Sequence, residues 1–328
     1  MGLRFYGLFS VPYNKPYLPI SAQLALIKGR GMAISDDALA QSYLSRIGYY
    51  RLSGYWFPYR ESSGAGTNVI VGDKFRAATK FSEVVELYVF DKRLRLLMMD
   101  VIERIEIALR VQITLELGKL GPQAHRDANA LHPNFQRPAA KGSLESRHGK
   151  WLRRHDEAFV RSKEEFAKHF RFKYAGELPP IWIAAELWDF GAMSFLYSGM
   201  RKDGQLAIAK FFGVPSFQIM ETWLRALNVT RNICAHHSRL WNKPNTVQPK
   251  WPTPAECPDL GHIASNTHAL TRVYAIACIC AHFLRTINPN SSWQDRFKEL
   301  ATDFPQSSIV NIGAAGFPVD WDKANLWV

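Results

Sequence analysis

Cysteine is scarce in this chain, and this and its other scarcities each close off a class of protein. The 328 residues carry 4 cysteines, Cys234, Cys257, Cys278 and Cys280. None of them forms the Cys-x-x-Cys pair usual in structural zinc sites, and four in so long a chain do not make a disulfide framework. Met1 to Ser10 lacks a cationic stretch followed by a long apolar run, so no secretory signal is read there. The apolar segment Val273 to Leu284 is shorter than the roughly 20 residues that span a bilayer. These features predict a soluble protein of a reducing, cytoplasmic compartment. There is no Gly-rich phosphate loop and no Gly-x-Ser-x-Gly elbow, so NTP hydrolysis and serine-hydrolase chemistry have no support. No repeat of 20 to 50 residues and no low-complexity tract occurs, which excludes solenoids and arrays. Acidic charge is also short: 29 Asp and Glu against 41 Lys and Arg leave a net charge of +12. An excess of cations favours a polyanionic partner, nucleic acid first and an anionic membrane surface second, because each neutralised phosphate releases counterions.

What is present reads as a helical protein with a sizeable core. Hydrophobic residues make up 47% and charged residues 21%, an ordinary balance for a globular chain. Three regions are expected: an N-terminal helical and aromatic segment over 1–80 packed on the core, a helical core over 81–290 with a basic insertion around 121–175, and a tail over 291–328. Pro19 to Arg30, closed by Gly31, reads as a helix, and Ser35-Asp36 can cap another that runs to Ile47. Gly48 to Trp56 is too rich in glycine and aromatics for a simple helix and reads as a packed corner or binding loop. Ser62 to Gly66 is loop chemistry. From Glu83 to Leu120, Leu94, Leu97, Met98, Val101, Ile105, Ala108, Leu109 and Ile113 recur at three- and four-residue steps, which predicts one or two long amphipathic helices. Gly121 to Gly149 reads as a connection. Further helices are predicted over Trp151 to Tyr174, Ile181 to Tyr197, Gly204 to Phe212, Gln218 to Trp241 and Ile263 to Thr286. The tail after Asn288 is expected to wrap the surface.

The stretch Leu227 to Trp241 is polar where a helix should be apolar. Within it, Arg231-Asn232-Ile233-Cys234-Ala235-His236 carries an arginine, an amide and a histidine that suit RNA transesterification, in which a ribose 2′-hydroxyl attacks the adjacent phosphorus. An imidazole ordinarily titrates near 6.5 and can take or give a proton, which suits His236. The planar, permanently charged fork of Arg231 suits a phosphate whose oxygens gain charge in the transition state. Asn232 would orient the histidine or the phosphate. Five helical residues turn by about 140° and rise about 7.5 Å, so Arg231 and His236 cannot share a narrow face. They can address one phosphate at a helix end, or where a second copy completes the cleft. Arg126-Asp127 followed by His132 fits a loosened form of the spacing, but it precedes Pro133 in a loop and reads as a decoy.

The run Arg231-Asn232-Ile233-Cys234-Ala235-His236-His237-Ser238-Arg239-Leu240-Trp241-Asn242 closely resembles the signature of the Abi-like (AbiD/AbiF type) abortive-infection proteins, a branch of the HEPN superfamily. Gly29-Arg30-Gly31-Met32, Ile47 to Tyr55, Leu87 to Arg95, Ile102 to Glu106 and Trp182 to Tyr197 resemble further blocks in the same order, over roughly Lys15 to Arg285. The resemblance implies an all-α fold, a HEPN-type helical bundle with an N-terminal helical extension. It also implies metal-independent endoribonuclease activity used as a toxin in phage defence, with no cofactor. Arg231 and His236 would be catalytic, supported by Asn232, and Glu106 would be the acidic residue that braces the arginine. A homodimer that joins two motifs and a restraining small non-coding RNA are implied partners. Another HEPN subgroup is silenced on a tyrosine two residues after the histidine; that position is Ser238 here, which argues against such control.

The residues leave alternatives open beside this reading. Glu103 and Glu106 can brace Arg231 or Arg225, or pair with Arg104 or Arg110 along their own helix. His237 can touch substrate or close a helix end. Lys150, Arg153 and Arg154, with Trp151 and neighbouring aromatics, suit single-stranded RNA, yet Glu157, Glu164 and Glu165 dilute the charge and a solvated helix face fits as well. Arg239 and Arg51 complete the expected RNA contacts, the latter among Tyr49, Tyr50, Tyr55 and Trp56, a density of aromatics that equally suits a core. A zinc site from the C-terminal cysteines and histidines is not expected, since Cys278 and Cys280 sit in an apolar helix. The rival to the enzyme is a non-catalytic RNA-binding module of the same fold, in which Arg231 and His236 only grip phosphate.

Overall fold

The computed structural model describes residues 14, 16–64 and 68–328. The start at Met1 to Ser10 and part of the Ser62 to Gly66 loop therefore lie outside the described residues. The chain divides into two compact units, Met1–Tyr88 with Pro305–Val310, and Val89–Phe304 with Asn311–Val328.

The first unit holds α1 (Ile20–Gly29), α2 (Asp37–Ile47), α3 (Tyr49–Trp56), the hairpin strands β1 (Arg60–Ser63) and β2 (Ile70–Phe75), and the start of α4 (Phe81–Gly118). The Asp36 side chain accepts from Leu39 N at the start of α2, as its position before the periodic run requires. The hairpin is antiparallel, pairing Arg60 with Phe75 and Ser63 with Ile70. The aromatic run after Gly48 is a helix, not a corner or loop. Gly48, at φ 89°, makes the only turn there between α2 and α3. Leu52, Tyr55 and Trp56 are then buried together; tertiary burial outweighs the weak helix propensity of the aromatics.

The second unit takes the rest of α4, then α5 (Arg147–Arg161), α6 (Glu165–Lys173), α7 (Ile181–Ala184), α8 (Phe190–Gly199), α9 (Lys202–Phe211), α10 (Phe217–Ala235), α11 (Thr267–Leu270), α12 (Val273–Ile287) and α13 (Trp293–Thr302). The periodicity read over Glu83 to Leu120 is one helix of 38 residues, Phe81–Gly118, with Leu94, Met98, Val101, Ile105, Leu109 and Ile113 buried. The basic stretch after Trp151 is two helices, interrupted at Ser162 to Glu164. α12 is buried all round from Val273 to Leu284, the pattern of a central core helix, and α10 packs against it as well as against α8 and α9. The tail does not merely wrap the surface: Trp293, Phe297 and Trp327 are buried, the last two rings stack at 5.0 Å, and Trp327 Nε1 donates to the Tyr274 hydroxyl at 2.9 Å. Trp293 and Phe297 lie one turn apart on the buried side of α13, with Leu300 and Ala301, and Trp327 reaches back to them from the chain's end. Among the described residues no helix is long and apolar enough to cross a membrane.

Candidate functional site

α10 is built to be buried along one side, through Ile219, Met220, Trp223, Leu224, Leu227 and Thr230, and to carry polar groups at its C-terminal turn. It stops at Ala235, six residues before the predicted Trp241 end. The backbone explains the stop. His237 N donates to Cys234 O at 3.0 Å and Ser238 N to Ile233 O at 2.9 Å, with His237 at φ 56°. This pair of reversed hydrogen bonds around a left-handed residue closes a helix by satisfying its last carbonyls. α1 and α9 end the same way, but with glycine at the left-handed position: Gly31 at φ 95° and Gly213 at φ 68°. Here a histidine occupies it, one of the few residue types enriched there after asparagine and aspartate.

The helix end expected from the spacing is thus present, and it sets the motif apart from the core. Asn232 and His236 are exposed, one turn apart, and His236 N still donates to Asn232 O at 3.0 Å. Arg231, half-buried, reaches toward that same face: its Nη1 lies 3.4 Å from Asn232 Oδ1. The Asn232 amide therefore stands between the guanidinium and the turn that carries the imidazole. Arg231 Nε is buried with no hydrogen-bond partner among the described residues. Cys234, between them, is buried and its thiol is pushed up to about 12 by desolvation, so it packs as a neutral side chain.

Glu106 lies beneath the arginine on α4. Burial raises its carboxyl pKa, against the opposing pull of Arg231 first and Arg110 second. Its Oε1 is 3.7 Å from Arg110 Nη2, so it pairs along its own helix, while the Arg231 charge acts on the same carboxyl. Arg110 is itself held by the Trp188 carbonyl at 3.0 Å. Glu103, also on α4, is exposed.

Two residues that sequence reasoning left without a role hold the segment after the helix. Asp91 on α4 is fully buried; it pairs with Arg95 and accepts from Leu240 N at 3.2 Å and Trp241 N at 2.8 Å. Arg95 in turn donates to the Ser238 carbonyl at 3.5 Å. The ion pair thus pins 238–241 to α4 and fixes the path of the chain as it leaves His236 and His237. Its sequence signals were an aspartate and an arginine four apart in Asp91-Lys92-Arg93-Leu94-Arg95, and the place of both in the Leu87 to Arg95 block.

The remaining candidates separate. Arg239 is half-buried and follows the pinned turn. Lys150, Arg153 and Arg154 lie on α5, where Arg153 is tied to Glu145 at 3.0 Å and Glu157 at 3.3 Å. Arg51 is exposed on α3 in the other unit, beside Tyr50, which is 91% exposed. Tyr55 and Trp56 are core residues, which removes them from any stacking role. The decoy is absorbed structurally: Arg126 forms a two-pronged pair with Asp156 at 2.6 and 2.8 Å, and the His132 ring accepts from Asn134 N at 3.2 Å. Among the described residues no group of three or more His, Cys, Asp or Glu side chains is arranged to hold a metal ion. All four cysteines are free and buried.

Neither a curated protein nor a solved structure matches the chain. The family model described as Abi-like protein matches residues 42–242, a span that takes in α3, α4, Glu106, the whole of α10 and the Asp91-pinned turn. The match covers more than half of the sequence, and the chain belongs to the Abi-like protein family.

Proposed function

We propose that this protein is a metal-independent endoribonuclease of the HEPN type that acts as an abortive-infection toxin in phage defence. The observation that supports the reading is the end of α10, where Asn232 and His236 are exposed one turn apart and Arg231 Nη1 lies 3.4 Å from Asn232 Oδ1, with the half-buried Glu106 carboxyl within reach of the Arg231 charge. In the proposed reaction the ribose 2′-oxygen attacks the adjacent phosphorus, the bond to the 5′-oxygen breaks, and a 2′,3′-cyclic phosphate and a 5′-hydroxyl result. His236 moves a proton, from the 2′-hydroxyl or to the leaving oxygen. Arg231 holds the phosphate and stabilises the charge that builds on its oxygens. One motif per chain makes a homodimer, in which two such turns share a cleft, part of the proposal. A small non-coding RNA is the proposed restraint.

The test is cleavage of end-labelled RNA in EDTA by protein freed of co-purifying nucleic acid at high salt. The expected outcome is cyclic-phosphate ends from the wild type and none from a substrate with 2′-deoxy at the cut. His236→Ala is expected to lose about 10² to 10⁴ in rate with RNA affinity nearly unchanged, and Arg231→Ala to lose activity comparably. RNA affinity that falls in both variants, with no cleavage by any of the three proteins, would transfer the site to a non-catalytic RNA-binding module.

A further inference from the structure

The basic residues of α5 fall on two faces, and the faces differ in what they meet. Arg153 and Arg161 are neutralised by Glu145 and Glu157. Arg147, Lys150 and Arg154 point into a cleft of about 500 Å³ between α5 and the start of α8. Arg147 is held over the Phe195 ring at 5.0 Å and the Phe135 ring at 5.6 Å. Lys150 and Arg154 make no ion pair or side-chain hydrogen bond with any described residue, although Lys150 is half-buried. Both help, after Arg153, to hold the Glu145 carboxyl below its usual range, but neither is locked in an ion pair, and two such cations at the mouth of a cleft favour an anion there. The cleft wall is largely aromatic and apolar, formed in part by Trp151, Trp188 and Phe195; the Asp189 carboxylate also lines it, where it accepts from Ala192 N at the start of α8. His155, 5% exposed and also in the wall, accepts from Trp188 Nε1 through Nδ1 at 3.1 Å, which leaves Nε2 buried without a hydrogen-bond partner.

One residue of the cleft lies against α10: a side-chain carbon at Gly191, on the α8 side, would lie 3.4 Å from the Asn228 amide. Asn228, Asn232 and His236 follow one another at four-residue steps along α10, one stripe about 12 Å long. A strand seated at the cleft and running along that stripe reaches the turn of His236.

We infer that this cleft is a ribonucleotide-binding subsite: a nucleotide of the RNA strand places its base against the aromatic wall and its phosphate between Lys150 and Arg154. Single-strand binding sites combine these elements, a cationic track for phosphates beside rings for bases. The inference rests on the ribonuclease reading for its RNA substrate and assigns Lys150 and Arg154, but not Arg153, to substrate contact.

Binding of a fluorescent 2′-O-methyl RNA, which cannot undergo the transesterification, tests the cleft apart from catalysis. Anisotropy titrations across a salt series would compare wild type with Lys150→Ala/Arg154→Ala, with the charge-matched Arg153→Ala/Arg161→Ala, and with Ala158→Phe, which fills the cleft from an exposed position on α5 without changing charge. The cleft pair is expected to lose about 10-fold in affinity and about 0.7 in the slope of log affinity against log salt, one single-strand phosphate contact. Ala158→Phe is expected to lose affinity with the slope retained, and the charge-matched control to stay within about 2-fold of wild type. AMP that displaces the strand only at millimolar concentration assigns the cleft to the strand; tighter AMP binding, abolished in the cleft pair, assigns the same ribonucleotide chemistry to a free nucleotide. Equal losses in the two double variants, or wild-type binding by Ala158→Phe, would overturn the subsite. These results hold whether or not the protein cleaves RNA, so failure of the subsite and failure of the ribonuclease reading are told apart.

Discussion

His237 strains the backbone at a helix end where α1 and α9 use glycine. A left-handed conformation costs a non-glycine residue about 1 kcal/mol or more, and strained residues persist where something else requires the side chain. His237→Gly separates the two roles the sequence allowed. Relief of the strain, partly offset by glycine's extra freedom in the unfolded chain, is expected to leave stability unchanged or raise it by up to about 1 kcal/mol, while cleavage falls at least 10-fold. Urea unfolding and initial cleavage rates check this together; a loss of stability with a normal rate per folded molecule would make the residue a helix-closing one only. At this scale the sequence was legible in part. Arg231, Asn232 and His236 stood out as candidates by residue type and by the family signature. A helix end near them was one of the arrangements the spacing allowed, but its place was not legible, because histidine at a left-handed position leaves no mark comparable to the Gly31 that closes α1.

Between the elements, the site depends on a buried ion pair. Removing one partner of such a pair leaves an uncompensated buried charge and commonly costs 3–5 kcal/mol. Asp91→Ala is expected to fall in that range, since Leu240 and Trp241 also lose their acceptor and Arg95 is left 5% exposed without its carboxylate. Asp91→Ala/Arg95→Ala should cost clearly less than the two single losses added, because the double variant strands no charge. Chemical denaturation of the four proteins gives the coupling directly, and strict additivity would mean that the pair does not act as a unit. The same scale shows why element ends were harder to read than elements. The α4 periodicity and the Asp36 cap are local signals and were legible. The helical state of the run after Gly48, the end of α10 and the buried tail aromatics are set by long-range partners, such as Tyr274 for Trp327, which no window of sequence contains.

For the molecule as a whole, stability meets a limit at low pH. Beneath the α5 cleft, His125, His148 and His155 are buried with Trp151 and Trp188, beside the Arg126–Asp156 pair. His125 is fully buried with neither ring nitrogen hydrogen-bonded, and desolvation, reinforced by His155 and Arg126, pushes it down to about 3. His155 is pushed down to about 4 by burial, with Asp156 opposing and Arg126 assisting, and His148 is lowered mainly by burial. Each folds as a neutral ring, whereas the unfolded chain takes up a proton near pH 6.5. Their contribution to stability is therefore complete above about pH 6.5 and is lost as pH falls toward the folded values, by up to about 1.4 kcal/mol per pH unit per histidine. Asp156, lowered by Arg126, loses its contribution in the lower window beneath the ordinary aspartate value of about 3.9, so a decline between pH 6.5 and 5 belongs to the histidines. The denaturation midpoint is expected to fall over that interval. His125→Phe, which keeps a ring between Trp151 and Trp188 but cannot take a proton, should flatten the decline without abolishing it, since His262 and His282 are also lowered by burial. Equal pH slopes in wild type and His125→Phe would show that His125 does not meet the acid as a buried neutral ring, and would place the acid sensitivity elsewhere in the fold.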